Sequence, residues 1–549
     1  MADLFQAHRA LLEAAVTATR ERGFWSAFSE VPRTYGEAAP AEGKAAFEAL
    51  IGRPFDLGQA GDLAPVGSEV SPYGLKLGIT YPALSTEALV AAAGRAAPAW
   101  AEASVEARVG VALEILVRLN TASFLMAHAV EHTTGQAFAM AFQAGGPHAQ
   151  DRGLEAVAYA YKEMAEVPGA VRWEKPAGRS TIRLDKDFHI VPRGLGLVIG
   201  CATFPTWNSY PALFADLVTG NAVIVKPHPA AILPLAITVK IGRQVLAEAG
   251  FDPDVLQLAP DTAEAPLAKE LATHPAVGIV DFTGSPAFGG WLRDHLRGKL
   301  LFTEEAGVNT IVIASTASFA GMCQNIAFSL SLYSGQMCTA PQTLFIPGGG
   351  IATDEGHKSF EEVAAGIAGA IDALLSDPAR AAAVLGAIQN PATLERISAA
   401  RSLGRVVRDS APLAGAARTA TPLLLAVEAA DEAAYLEERF GPIAFLVAVD
   451  DSADGIARAA HAAREKGAIT AALYSTDEDE IRAAAKASAQ AGVALSVNLT
   501  GGIYVNQSAA FSDYHVTGAN PAGNACLTDA AYIAGRFRIV CVRRPATAA

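Results

Sequence analysis

The segment SGQMCTA, Ser334 to Ala340, sets a cysteine after a Gly-Gln turn between an expected helix and an expected strand. A thiol there can be an exposed nucleophile. The thiolate is the reactive form, so such a site must lower the thiol's pKa or supply a base. Most isolated cysteines are simply packed as small apolar side chains, so Cys338 needs companions before it counts as chemistry. A base is on offer in TEEAG, where Glu304 and Glu305 stand at a glycine-containing entry to an apolar strand. The bland alternative is a solvated turn acid, the usual fate of a glutamate. In TFPTWNSYP, Asn208 follows a buried-looking strand inside a proline-bounded loop. Its amide can donate to an oxyanion, or merely cap its own turn.

Further segments suit an anionic cofactor. DFTGSPAFGG reads as a strand, a turn through Thr283, Gly284 and Ser285, and a helix with Ser285 as N-cap and Pro286 at its first position. Free amides and the positive helix end suit a pyrophosphate, although plain capping needs no ligand. NAVIVKPHP is a strand ending in Lys226, at the edge where open α/β sheets bind ligands. LEERFGPIAF brings Glu437, Glu438, Phe440, Gly441 and Pro442 ahead of another strand.

Taken in order, these motifs resemble those of the aldehyde dehydrogenase superfamily from about Ser85 to the C-terminus. GQxC around Cys338, FTGSxxxG from Phe282 to Gly289, the pairs Lys226-Pro227 and Trp207-Asn208, and the run Glu437 to Pro442 carry the likeness. So does AFSDYHVTGANPAG from Ala510, which echoes the family's glycine-rich loop. The resemblance implies that Cys338 attacks an aldehyde and that Asn208 and the Cys338 N–H hold the oxyanion. It also implies that Glu304, preferred to Glu305 on its distance from the cysteine, activates water against the thioester. Lys226 would contact the adenosine ribose, Thr283, Gly284 and Ser285 the pyrophosphate, and Glu438 the nicotinamide ribose, with Phe440 and Trp207 on the cofactor side. Many NAD-using members carry a Glu three residues after the lysine; here Pro229 stands there, preceded by His228. Lys226 and His228 then suggest a 2′-phosphate partner, hence NADP in preference to NAD.

Within the superfamily the chain looks most like the phenylacetic acid degradation protein PaaN group and the aldehyde dehydrogenase half of the ring-opening enzyme PaaZ. That implies an open-chain semialdehyde carried on coenzyme A in aromatic (phenylacetate) catabolism. A CoA-acylating dehydrogenase is the rival within the enzyme class, and Glu304 argues against it because a CoA-resolved thioester needs no base. A non-catalytic scaffold subunit is the rival of another class, and the intact Cys338, Glu304 and Asn208 set argues against that.

The elements that must position these residues are those of an α/β fold. Residues 1–55 read as a helical leader, with Leu4, His8, Leu11, Leu12 and Ala15 at helical spacing. Residues 56–302 read as a nucleotide-binding domain: an alanine-rich helical stretch broken at Thr134-Gly135 and at Gly145-Gly146-Pro147, then LGLVIG, NAVIVK, VLQLA and VGIVDF separated by helices. Strands alternating with helices imply right-handed parallel crossovers and a doubly wound, Rossmann-like sheet. A second such series, over 303–498, reads as the catalytic domain, and 499–549 as a return segment with a terminal strand. Strands about 168–191 would pair with that tail in a small bridging element, which in the resembling family joins subunits, so at least a homodimer is expected.

Composition narrows the classes. A formal charge of −14 argues against general nucleic-acid binding. No run approaches the ~18 apolar residues of a membrane span, and the N-terminus lacks a signal-peptide pattern, which reads as cytoplasmic. The five cysteines are scattered, with no CxxC or Cys/His cluster pointing to a metal.

Overall fold

A computed structural model describes residues 3–305, 307–501 and 509–546. The leader helix Leu4–Glu21 opens on Asp3, whose carboxylate accepts the Gln6 amide, and buries Leu12, Ala15 and Ala18 against the helices Val105–Thr121 and Pro147–Ala165. It ends at Arg22 in the left-handed conformation. The alanine-rich stretch is a set of helices that stops where expected: Gly135 caps Ser123–Thr134 with φ 84°, and Gly146 separates Phe138–Gly145 from Pro147–Ala165.

Four apolar runs become the buried parallel strands Leu195–Ile199, Ala222–Lys226, Leu256–Leu258 and Val277–Gly284. They are buried on both faces because crossover helices cover both sides, so the runs are continuous rather than alternating. A fifth strand, Leu300–Glu305, closes the edge of this sheet parallel to Val277–Gly284, with Thr283 opposite Glu304. The boundary drawn at 303 therefore falls inside a strand of the first sheet. Glu304 belongs to that sheet, and the second begins at Asn309–Ile313.

The second sheet has seven strands. Besides the expected runs it contains Leu423–Glu428 and the antiparallel edge strand Arg405–Arg408, which the sequence reading passed over. RVVR offers only two apolar residues, and LLLAVE lies in alanine-rich surroundings that read equally well as helix. The bridging element forms as expected: Ala170–Ala177 and Ser180–Pro192 pair antiparallel, and Phe537–Pro545 adds to the free edge of the longer strand. The return segment spans the seam between the two large sheets, except for 502–508, which like 547–549 lies outside the described residues. No single helix among the described residues is long and apolar enough to cross a membrane.

One buried network ties the tail to the first sheet. The Arg536 guanidinium donates to Asp216 (2.6 Å) and to both oxygens of Asp281 (2.6 and 2.8 Å), and the Tyr532 hydroxyl donates to Asp281 at 2.8 Å. Asp281 lies in the strand that carries Thr283, so this network fixes the floor of the motif loop. Removing the cation leaves two buried carboxylates facing each other, an uncompensated charge that costs about 3–5 kcal/mol. Arg536→Ala is thus expected to lower unfolding free energy by roughly that amount in urea titrations. A loss within error of a surface substitution would show the network to be dispensable.

Candidate active site

The Cys338 loop is built by a strained turn. After the helix Phe319–Ser331 the backbone runs left-handed at Tyr333 (φ 51°), Ser334 (φ 51°) and Gly335 (φ 62°). A side chain on Gly335 would place its Cβ 2.5 Å from the Gly441 carbonyl, so only glycine fits there. The two non-glycine residues are held by buried bonds: the Tyr333 hydroxyl to the Thr134 carbonyl, and Ser334 Oγ to the Leu385 carbonyl at 3.0 Å. Gln336 of the motif is a fastener. Its amide nitrogen donates to Tyr333 and Ala387 carbonyls, and its oxygen accepts the Gln389 amide. On the far side Asn309 donates to the carbonyls of Cys338 (2.7 Å) and Ala340 (3.0 Å). The thiol is thereby fixed at the C-terminal side of the turn, facing the first sheet.

Opposite it, Glu304 is 1% exposed. Asn208 Nδ2, on the helix Pro205–Val218, donates to Glu304 Oε2 at 2.9 Å, and His515 Nε2 lies 3.0 Å from Oε1. Cys338 faces the same carboxylate: its Sγ, a Glu304 oxygen and a His515 ring nitrogen lie within 4.8 Å of one another. Burial pushes the Glu304 carboxyl up, but the charge and hydrogen bond of His515, the charge of Arg152 and the Cys338 thiol outweigh it, leaving it below the ordinary range. Burial, and then the Glu304 charge, push the Cys338 thiol well up, so the carboxylate faces a thiol rather than a thiolate. Burial pushes the His515 imidazole down, against the charge and hydrogen bond of Glu304. A cavity of about 10 Å³ beside Glu304 is lined by Asn208, Thr283 and Tyr532, among others.

Glu305 points the other way and pairs with Arg293 on the helix Pro286–His295. Trp207, expected on the cofactor side, packs on the catalytic side: its ring meets His515 edge-on at 4.6 Å and lies under the Arg152 guanidinium at 4.1 Å. Both packing partners come from segments far away in the chain, which spacing could not show.

The other residues expected to hold a cofactor line the strand ends. Thr283 and Gly284 are half-buried and Ser285 is exposed, with Ser285 Oγ capping Phe288 N at the start of a ten-residue helix. Gly289 packs so close to Glu305 that a Cβ would sit 2.3 Å from its carboxyl carbon. Lys226 is buried and paired with Asp261 at 2.7 Å. His228 is exposed, and its Nδ1 accepts the Ala230 amide, as a neutral imidazole does. The positive charge counted on for a 2′-phosphate is therefore already compensated at Lys226 and lacking at His228. Glu438 is half-buried; burial pushes its carboxyl up to about 8, against the Gly307 amide and the Arg396 charge. The Phe440 carbonyl accepts from Arg396 at 3.1 Å.

His515, Arg152 and Asn309 are the residues the sequence reading missed. The only signal was His515 in the late segment AFSDYHVTGANPAG, quoted for its glycines rather than its histidine. That segment pairs with the base strand: Glu305 N donates to Ala522 O at 2.7 Å and Asn524 Oδ1 accepts Thr303 N at 2.8 Å. The leader holds it from behind, with Arg22 over the Tyr514 ring at 3.9 Å and donating to Thr528 O at 3.0 Å, and Trp25 edge-on to Phe511.

Residues 80–522 match the aldehyde dehydrogenase family. The crystal structure of an NAD-dependent aldehyde dehydrogenase from Burkholderia multivorans is similar over 100% of this chain and 99% of its own, with a TM-score of 0.98 and 53% identity. A 1-pyrroline-5-carboxylate dehydrogenase shares the fold alone, at 18% identity and a TM-score of 0.76 over 95% of this chain and 99% of its own. By sequence, an N-succinylglutamate 5-semialdehyde dehydrogenase of Burkholderia multivorans is 27% identical over 70% of this chain and 75% of its own. Its namesake from Paraburkholderia xenovorans is 28% identical over 50% of this chain and 53% of its own length. The chain belongs to the aldehyde dehydrogenase family, and is an oxidoreductase acting on aldehydes with a nicotinamide cofactor.

Since His515 helps to keep Glu304 ionised, its loss must raise the carboxyl's pKa. A hydrogen bond to a charged group is worth about 1.5–3 kcal/mol, or roughly one pKa unit and more. His515→Ala is therefore expected to move the acidic limb of the thioester-hydrolysis rate to higher pH by about one unit, with His515→Gln restoring part of the shift. An unmoved limb in the pH–rate profile would remove His515 from this role.

Proposed function

We propose that this enzyme oxidises an open-chain semialdehyde to its carboxylate through a covalent thioester on Cys338. The observation that carries the reading is that Cys338 Sγ lies within 4.8 Å of a buried carboxylate oxygen, the carboxylate itself being held by Asn208 and His515. Glu304 takes the thiol proton as the sulfur adds to the aldehyde carbon. The oxyanion so formed meets the second N–H of Asn208 Nδ2 and the Cys338 backbone N–H, each such donor being worth about 3 kcal/mol. A dinucleotide, when bound at Thr283, Gly284, Ser285, Lys226 and Glu438, supplies the acceptor for the hydride that leaves this carbon. Once it has passed the thiol proton to solvent, Glu304 takes a proton from water, for which the adjoining cavity is about the size needed. The hydroxide adds to the thioester, the carboxylate is released, and the thiolate regains a proton.

Asp261 beside Lys226 supports NAD as the cofactor rather than the NADP suggested by Pro229, because a carboxylate at the ribose end accepts hydroxyls and repels a phosphate. Open-chain semialdehydes are suggested both by the relatives named for N-succinylglutamate 5-semialdehyde and by the likeness to the ring-cleavage enzymes; a coenzyme A carrier and a role in phenylacetate catabolism rest on the latter alone. A second copy of the chain is the proposed partner. The bridging strands expose Val171, Ile182, Val191, Ile539, Val540 and Val542, an apolar surface suited to self-pairing. Free thiols at every described cysteine suit a reducing, cytoplasmic setting.

Cys338→Ala is expected to abolish aldehyde-dependent cofactor reduction while leaving cofactor binding by fluorescence titration intact. Glu304→Gln is expected to cut steady-state turnover by about a hundredfold or more yet leave a first-turnover burst of reduced cofactor. An aldehyde panel with free and CoA-linked semialdehydes, each with NAD and NADP, tests substrate and cofactor together. NAD should be preferred in kcat/KM by about tenfold or more, the effect of ~1.4 kcal/mol. Parity, or a bias to NADP, would reject the cofactor assignment without touching the chemistry.

A further inference from the structure

Away from the active site, the helix Ser123–Thr134 carries His128, Glu131 and His132, spaced so that all three project from one face. A ligand atom from each lies within 4.8 Å of the others. His128 Nδ1 is 3.3 Å and His132 Nε2 3.8 Å from the same Glu131 oxygen. Two imidazoles and a carboxylate are donors that a tetrahedral zinc site uses; bonds of ~2.0–2.1 Å put neighbouring ligand atoms about 3.3 Å apart, the separation of His128 and Glu131 here. The side chains are 15%, 20% and 18% exposed, enough to admit an ion and leave a position for water.

The surroundings are built as outer partners of such a site. Ser71 Oγ lies 3.0 Å from His132 Nδ1, which fixes the ring and directs its Nε2 to Glu131. Phe47 stacks on both imidazoles, at centroid distances of 5.6 and 5.1 Å. Two histidines packed on a phenylalanine need no metal to be satisfied, but packing alone does not require a carboxylate placed between them.

We propose that His128, Glu131 and His132 bind a divalent transition-metal ion of the zinc type, and that the ion braces the C-terminal end of this helix. That end supports the catalytic loops. The Thr134 carbonyl accepts the Tyr333 hydroxyl, the Gly135 carbonyl accepts Ala387 N at 2.7 Å, and Gln136 Nε2 donates to Thr203 O at 2.8 Å. The site follows no cysteine-containing pattern, because one helical turn supplies all three side chains.

The test uses the full chain carrying Cys338→Ala, which removes the thiol of the other close cluster of ligating groups, Glu304, Cys338 and His515. Zinc titrated calorimetrically is expected to bind one ion per chain and to raise the melting temperature. Ser71→Ala in this background should weaken binding about 10–100-fold, as loss of an outer partner does, and His132→Ala should weaken it further and abolish the thermal shift. Cobalt(II) in place of zinc should give a tetrahedral visible spectrum without a thiolate charge-transfer band. Circular dichroism of the metal-free variants checks that they fold. An absence of stoichiometric binding, or an affinity unchanged by His132→Ala in a folded variant, overturns the proposal.

Discussion

The Glu304 carboxylate is held away from water, and the rest of the active region is arranged around that constraint. Burying an ionised carboxyl costs several kcal/mol unless donors replace its hydration. Asn208 and His515 do so, each through a bond to charge worth about 1.5–3 kcal/mol, and the Cys338 thiol faces the same carboxylate. These three groups come from a helix of the first sheet, the return segment and a loop of the second sheet, while Glu304 itself rides the first sheet's edge strand. Four segments distant in sequence must therefore meet before the carboxylate is stable. The same meeting places the Cys338 thiol beside the Glu304 carboxylate, so the interaction that closes the seam also assembles the candidate site.

Polar bonds cross that seam at several points. Asn309 grips the carbonyls around Cys338 from the second sheet, and the return segment pairs with the strand carrying Glu304. Arg536, with Asp216, Asp281 and Tyr532, locks the tail under the strand leading to Thr283. Tyr333 and Ser334 sit in a conformation costing of order 1–3 kcal/mol each and persist because buried hydrogen bonds over-determine them. Such strain aims a side chain into a narrow gap without lengthening the loop.

Much of this was legible in the residues. The buried strands, the helix breaks at Gly135 and Gly146, and the bridging hairpin were readable because each depends on local patterning: continuous apolar runs, capping glycines, alternation. Cys338, Glu304 and Asn208 were readable from short motifs, and the structure brings those three together. Arg405–Arg408 and Leu423–Glu428 were missed because an edge strand and an alanine-rich run carry little period. Lys226 was read as a free cation, and only its neighbour Asp261, on another strand end, shows that its charge is taken.

The sequence by itself determined the family and the alternation of strands and helices, because short motifs and local patterning carry both. Tertiary structure alone decided that Glu304 belongs to the first sheet, that His515 and Arg152 set its charge, and that Trp207 packs with them. Those relations join positions tens to hundreds of residues apart, and pKa depends on which groups face each other in a low-dielectric interior rather than on which follow each other in the chain.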